Sequence, residues 1–173
     1  MGKLILVSGE NSSGKSVFAE SLFSKYSTKR YYIATMIPKT DDNRKRIEKH
    51  KKQREGLGFS TLELPYFVNE GVTEPDSAVL LEDVSNLLAN NIFEKNRTAD
   101  DVFEDILTLA KKSKVLVAVT ISGLLNQGFD EETAMYINSI NSINKKLYDE
   151  ALVAITMKNN KPVYEKGDEH DIY

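Results

Sequence analysis

The chain contains no cysteine. That excludes a disulfide framework, thiolate catalysis and a zinc–thiolate site. It also lacks any 18-residue apolar stretch, so nothing in it reads as a membrane-spanning helix and no membrane insertion is expected. The apolar run at residues 4–7 is too short for the core of a signal peptide, and the expected location is cytoplasmic. No repeat, low-complexity tract or long Pro/Gly/Ser linker breaks the 173 residues. Neither sign of charge dominates: the net charge is −3. The molecule therefore has no general attraction to nucleic acid or anionic membrane, and neither is expected as a partner. What remains is ordinary globular composition, 40% hydrophobic and 28% charged. It suits one domain over residues 1–173 with a core of its own.

Strand and helix patterns alternate. Residues 3–8 read as a short strand buried on both faces. A glycine-bounded loop follows, and a helix begins at Lys15 with Phe18, Leu22 and Tyr26 on one face, Ala19 and Phe23 beside them. Further strands are expected at residues 30–35, 61–64, 78–81, 115–120 and 152–157, with an edge strand at 161–164. Helices are expected at 41–55, at 84–94, after a Thr98/Asp101 capping box, and after Asp130. The last carries a stripe of Ile137, Ile140, Asn144, Leu147 and Ala151. Residues 165–173 are polar and expected to fray. Alternation of this kind builds a mostly parallel sheet with helices on both faces, an α/β fold with ligands at the carboxyl ends of the strands.

The strongest motif is Gly9-Glu10-Asn11-Ser12-Ser13-Gly14-Lys15-Ser16, which fits G-x-x-x-x-G-K-[ST] in full. Its spacing suits phosphate binding: the backbone N–H groups of such a loop turn inward around a phosphate. Lys15 reaches the β/γ oxygens of a nucleoside triphosphate, and the Ser16 hydroxyl ligates Mg²⁺. The helix that starts at the loop adds its N-terminal dipole. A strand before and a helix after are the context the motif requires. ATP or GTP is the expected substrate, with Mg²⁺.

Such a site needs a second acid to hold Mg²⁺ or its water. Glu82 and Asp83 end an apolar strand and supply candidates, Glu82 first. Asp83 also suits a plain helix cap. The helix at 41–55 is nearly all charged, and most such runs are solvated faces. No aromatics interleave its cations, so it does not read as a nucleic-acid patch. Within it stands His50. A neutral imidazole can attack phosphorus, and the surrounding cations would hold a leaving pyrophosphate. Only Ile47 anchors this helix, so it is expected to be mobile without nucleotide, which leaves His50 free to lie away from Lys15 in that state.

Several segments together resemble the bifunctional adenosylcobinamide kinase and adenosylcobinamide-phosphate guanylyltransferase family of cobalamin synthesis. They are the first strand and loop, Tyr32-Ile33-Ala34-Thr35, Asp41-Asp42, and Arg46-Ile47-Glu48-Lys49-His50-Lys51. Thr61-Leu62-Glu63, Leu80-Leu81-Glu82, Asn90 and Asn144-Lys145-Lys146-Leu147 continue the match in order. The resemblance implies a RecA-like P-loop NTPase fold and a trimer in which neighbouring subunits complete the sites. It implies that His50 takes the guanylyl group and that Glu82 is an acid of the nucleotide site. Gly9, Gly14, Lys15 and Ser16 match the family's phosphate loop. There are departures. Ser12 stands where the family usually has Arg, Arg54-Glu55 replaces its Arg-Pro, and Phe59 is the best match for its Trp. Thr120-Ile121-Ser122-Gly123 replaces its T-N-E-V-G stretch, without the Asn-Glu pair.

The resemblance thus implies two transfers: a γ-phosphoryl group to the aminopropanol hydroxyl of adenosylcobinamide, then GMP from GTP through a guanylyl-His50 intermediate. Two alternatives stay open: a P-loop kinase or NTPase with another acceptor, and a GTP-binding regulatory module without turnover.

Overall fold

The computed structural model describes residues 2–71 and 74–173. Among them, the strands are β1 Lys3–Gly9, β2 Arg30–Ala34, β3 Phe59–Glu63, β4 Ala78–Glu82, β5 Val115–Ile121, β6 Val153–Lys158 and β7 Lys161–Lys166. The helices are α1 Lys15–Ser21, α2 Asp41–Gln53, α3 Val84–Lys95, α4 Ala99–Lys111, α5 Glu131–Glu150 and α6 Glu169–Ile172.

The strands make one sheet in the order β3-β2-β4-β5-β1-β6-β7. All pairs are parallel except β6 with β7. β1, β4 and β5 are apolar almost throughout because both their faces are covered. Side chains alternate across them. Leu4, Leu6, Val79, Leu81, Leu116 and Ala118 face one layer, which holds Leu87 of α3, Ile106 of α4 and Ile140 of α5. Ile5, Val7, Leu80, Val117 and Val119 face the other, where Ala19 of α1 packs with Leu22 and Phe23. This is the expected α/β architecture with helices on both faces.

Three differences from expectation have local causes. α1 stops at Ser21, and a 3₁₀ turn over Leu22–Lys25 keeps Leu22, Phe23 and Tyr26 buried. β3 begins at Phe59 because the parallel register pairs Phe59 with Arg30, and its ring packs edge-on against Phe23 at 5.0 Å. The tail does not fray. Its polar residues cap a short helix, α6, whose Ile172 is 0% exposed. Burying that side chain contributes about 1.5–3 kcal/mol. Tyr26 donates its hydroxyl to the Ile172 carbonyl, and Lys3 Nζ donates to Asp171 O at 3.0 Å and Tyr173 O at 2.8 Å.

The capping box is formed: Asp101 N donates to Thr98 Oγ1, and Thr98 N donates to Asp101 Oδ2. Among the described residues, no helix is long and apolar enough to cross a membrane. The carboxyl ends of β1, β2 and β4 open toward one side, and that edge holds the residues of interest.

Candidate active site

β1 delivers the chain at Gly9, the loop turns, and α1 starts at Lys15. Gly14 sits at φ 85°, and a side chain there would also meet Asn160 Oδ1 at 2.6 Å. The positive φ favours glycine, whereas the Asn160 amide could swing aside. Asn160 comes from the tip of the β6–β7 hairpin, whose Asn159 and Asn160 both have positive φ. Ser13 N donates to Glu10 O at 3.3 Å, and Lys15 Nζ donates to the same carbonyl at 3.2 Å. Burial lowers the Lys15 pKa, while Asp83 and Glu82 oppose that shift.

Glu82 ends β4 beside this loop. Burial pushes its carboxyl up to about 7; the Ser16 and Tyr32 hydroxyls hydrogen-bond to it and pull the other way, and Asp83 and Glu20 add repulsion. The Tyr32 hydroxyl donates to Glu82 Oε2 at 3.4 Å. Asp83 does cap a helix: Asn86 N donates to its Oδ1 at 2.7 Å at the start of α3. It also lines the cleft.

α2 lies across the cleft. Thr40 caps it, accepting from Asn43 N at 3.1 Å. None of its residues is buried. His50 is nevertheless not remote from the loop: its Nδ1 is 3.5 Å from Ser16 Oγ. The histidine stands beside the loop because its helix is held by polar contacts that hydrophobic patterning does not register. Burial lowers the His50 pKa, helped by Arg46, Arg54 and Lys49 and opposed by Asp83. The imidazole is therefore neutral at pH 7, the form a nucleophile needs.

Sequence reasoning missed Glu20, Tyr32, Gln53, Arg54 and Asn160 as parts of this site. Arg54 is 8% exposed; its guanidinium stacks 3.8 Å over the Tyr32 ring centroid and donates to Thr61 Oγ1 at 3.2 Å. A helical reading could have found Gln53 and Arg54, three and four residues after His50 and so on its face. Nothing local could have found Asn160, which reaches the loop only because β6 lies next to β1.

The stretch Thr120-Ile121-Ser122-Gly123 folds back on the phosphate loop. Ser122 N donates to Gly9 O at 3.0 Å, and the Glu10 side chain lies against Gly123. Thr120 Oγ1 donates to Asn144 Oδ1 at 2.7 Å, and Asn144 Nδ2 donates to Ile121 O at 2.8 Å. The polar residue in the α5 stripe is thus a tie to β5. The cleft as a whole measures about 1180 Å³. It runs from the phosphate loop and His50 to an apolar end at Met36, Ile37, Pro38 and Pro65.

A solved structure of a Pyrococcus horikoshii OT3 protein superposes with a TM-score of 0.58 at 8% identity, covering 99% of this chain and 89% of that one. An ATPase of the type III secretion system of pathogenic bacteria aligns at a TM-score of 0.49 and 10% identity, over 99% of this chain and 60% of that one. The first likeness speaks to the fold. No curated protein matches the sequence. Residues 5–159 match the family described as cobinamide kinase / cobinamide phosphate guanyltransferase. The chain belongs to that family, the bifunctional kinases and nucleotidyltransferases of cobalamin biosynthesis.

Proposed function

We propose that this one cleft carries both transfers of the family, with the phosphate loop holding the triphosphate and His50 as the covalent nucleophile. The observation that supports the reading is the meeting of His50 Nδ1 with Ser16 Oγ at 3.5 Å. A neutral imidazole and a phosphate loop then face the same substrate.

In the kinase step, residues 10–16 and Lys15 hold the phosphates in line with the acceptor hydroxyl. The hydroxyl oxygen bonds the γ-phosphorus, the bond to the β-phosphate oxygen breaks, ADP leaves and the hydroxyl proton passes to water. In the nucleotidyl step, an imidazole nitrogen of His50 bonds the α-phosphorus of GTP and pyrophosphate leaves. A phosphate oxygen of the phosphorylated acceptor then takes the guanylyl group, and the nitrogen–phosphorus bond breaks. Gly9, Glu10, Asn11, Ser12, Ser13, Gly14, Lys15 and Ser16 make the nucleotide site, with Glu82 beside them.

The residues fit a magnesium ion. The Ser16 hydroxyl and the Glu82 carboxylate are hard oxygen donors, and a recessed acid pushed up to about 7 gains from a cation. Ser16 and Glu82 would hold it, and it would supply charge neutralisation at the transferred phosphoryl group. A homo-oligomer, a trimer by family resemblance, belongs to the same proposal.

Two measurements test this. With adenosylcobinamide, ATP and GTP together, mass spectrometry should find first the phosphorylated and then the GMP-bearing product. Nucleotide binding without transfer would instead make the protein a regulatory module, and phosphoryl transfer to other acceptors alone would make it a different kinase. Glu82→Gln should weaken Mg²⁺-nucleotide binding roughly tenfold, the worth of one charged ligand contact. Its apo melting temperature at pH 8 should be unchanged or higher. The reason is a sign: the Glu82 pKa of about 7 lies above its unfolded value, so ionising it opposes folding as pH rises toward 7, and Gln removes that cost. A large loss of apo stability with normal nucleotide handling would make Glu82 a structural residue.

A further inference from the structure

Gln53 ends α2, three residues after His50, and has no role in the chemistry above. Its side-chain Nε2 donates to Glu20 Oε2 at 2.9 Å and to Ser16 Oγ at 3.2 Å. Ser16 and Glu20 are four residues apart, one turn of α1, so one amide spans that turn. Glu20 is 5% exposed, and its other oxygen, Oε1, is buried with no hydrogen-bond partner. A carboxylate so placed depends heavily on the donor it has.

The rest of the α2 anchorage is slight. No residue of the helix is buried. Asn43 Nδ2 donates to Ile37 O at 3.1 Å near its start, and Arg54 stacks on Tyr32 just past its end. Between these points, the Gln53 amide joins the helix that carries His50 to the helix that begins at the phosphate loop.

We propose that Gln53 and Glu20 form a positioning pair that locks α2 in register on α1 and so sets where the His50 imidazole stands over the phosphate loop. The pair touches no reacting atom. It acts through His50, and the proposal rests on the reading of His50 as guanylyl acceptor. Without the tie, α2 is still held near its two ends by Asn43 and Arg54 but can shift on α1 between them. A misplacement of about 1 Å in an attacking group costs on the order of 100-fold in rate.

The test uses Gln53→Leu, Gln53→Glu and the swap Glu20→Gln/Gln53→Glu. Leucine keeps the bulk and removes the amide. Glutamate sets two carboxylates against each other. The swap restores one amide donor to one carboxylate with the polarity reversed, so it separates the bond from either residue's bulk. The readout is the rate of label transfer from α-labelled GTP at saturation, beside the GTP Kd. Gln53→Leu should lose roughly 100-fold in labelling rate, with Kd within about threefold of the parent because the loop backbone and Lys15 are intact. Gln53→Glu should be at least as slow, and the swap should recover at least about tenfold over it. Labelling by Gln53→Leu at the parent rate, or a swap no faster than Gln53→Glu, overturns the proposal.

A second readout does not depend on labelling. Amide hydrogen exchange is followed across α2 in nucleotide-free protein. In Gln53→Leu the α2 amides should exchange about tenfold faster than in the parent, because the helix has lost its tie to α1. Unchanged exchange overturns the pairing even if the parent proves unable to take label, an outcome that would by itself refute only the guanylyl reading.

Discussion

Incubated with GTP labelled at the α-phosphate, the parent protein should carry label that acid removes and alkali spares, and His50→Ala should carry none. The bond at issue is a phosphoramidate. Protonating its nitrogen makes the imidazole a good leaving group, which is why acid releases the label. The substitution removes the only nucleophile in the reading, so the expected loss is complete, not graded. GTP binding should survive, because the substitution leaves the phosphate-loop backbone and Lys15 in place. Stability should change little, because α2 buries no residue. The pH profile adds a sign. His50 titrates below its ordinary value, so it is neutral and reactive at pH 7, and labelling should fall only as the pH drops beneath that lowered pKa. The lability of the product requires the label to be trapped at alkaline pH. Acid-stable label, or equal label on His50→Ala, would move the nucleophile elsewhere or end the covalent mechanism. The absence of any label, with and without the cobinamide acceptor, would leave a kinase or a binding protein.

Lys15→Ala should abolish measurable triphosphate binding while the protein stays folded. Its ammonium is the charge aimed at the β/γ-phosphates. Removing one member of a close charge pair costs about 2–5 kcal/mol, a rise in Kd of roughly 30-fold to several thousandfold. The fold should tolerate the change. Among the described residues, the half-buried Lys15 side chain bonds only to the Glu10 carbonyl of its own loop, and Glu82 and Asp83 act on it through charge. Burial already lowers its pKa, so the apo protein loses nothing it gained from the charge. Calorimetry with Mg²⁺-GTP reads the effect directly. An unchanged affinity would refute the phosphate-loop reading and, with it, both transfers. The two variants also separate the steps: Lys15→Ala should lose phosphorylation and labelling together, whereas His50→Ala should retain phosphoryl transfer from ATP.

Local chemistry made much of this legible from residues alone. The continuous apolar run of β1 before a glycine-bounded Gly9–Ser16 loop and an amphipathic α1 can be satisfied by few structures, because each period and each turn residue is dictated by near neighbours. The Thr98/Asp101 box and the Asp130 cap are of the same kind: donors and acceptors three residues apart find each other in any helix that forms. Tertiary structure decided the rest. Ile172 looks like part of a polar tail until Tyr26 and Lys3, far away in sequence, bond the backbone around it. His50 reads as a surface histidine on a charged helix until Gln53 and Arg54 bring that helix down onto Ser16, Glu20 and Tyr32. Asn160 meets Gly14 only because the sheet order sets β6 beside β1. In each case the deciding contact is polar and joins residues distant in the chain. Hydrophobic period records which face of an element is buried. It carries no information on which polar groups will meet when separate elements pack, and the site is made of those meetings.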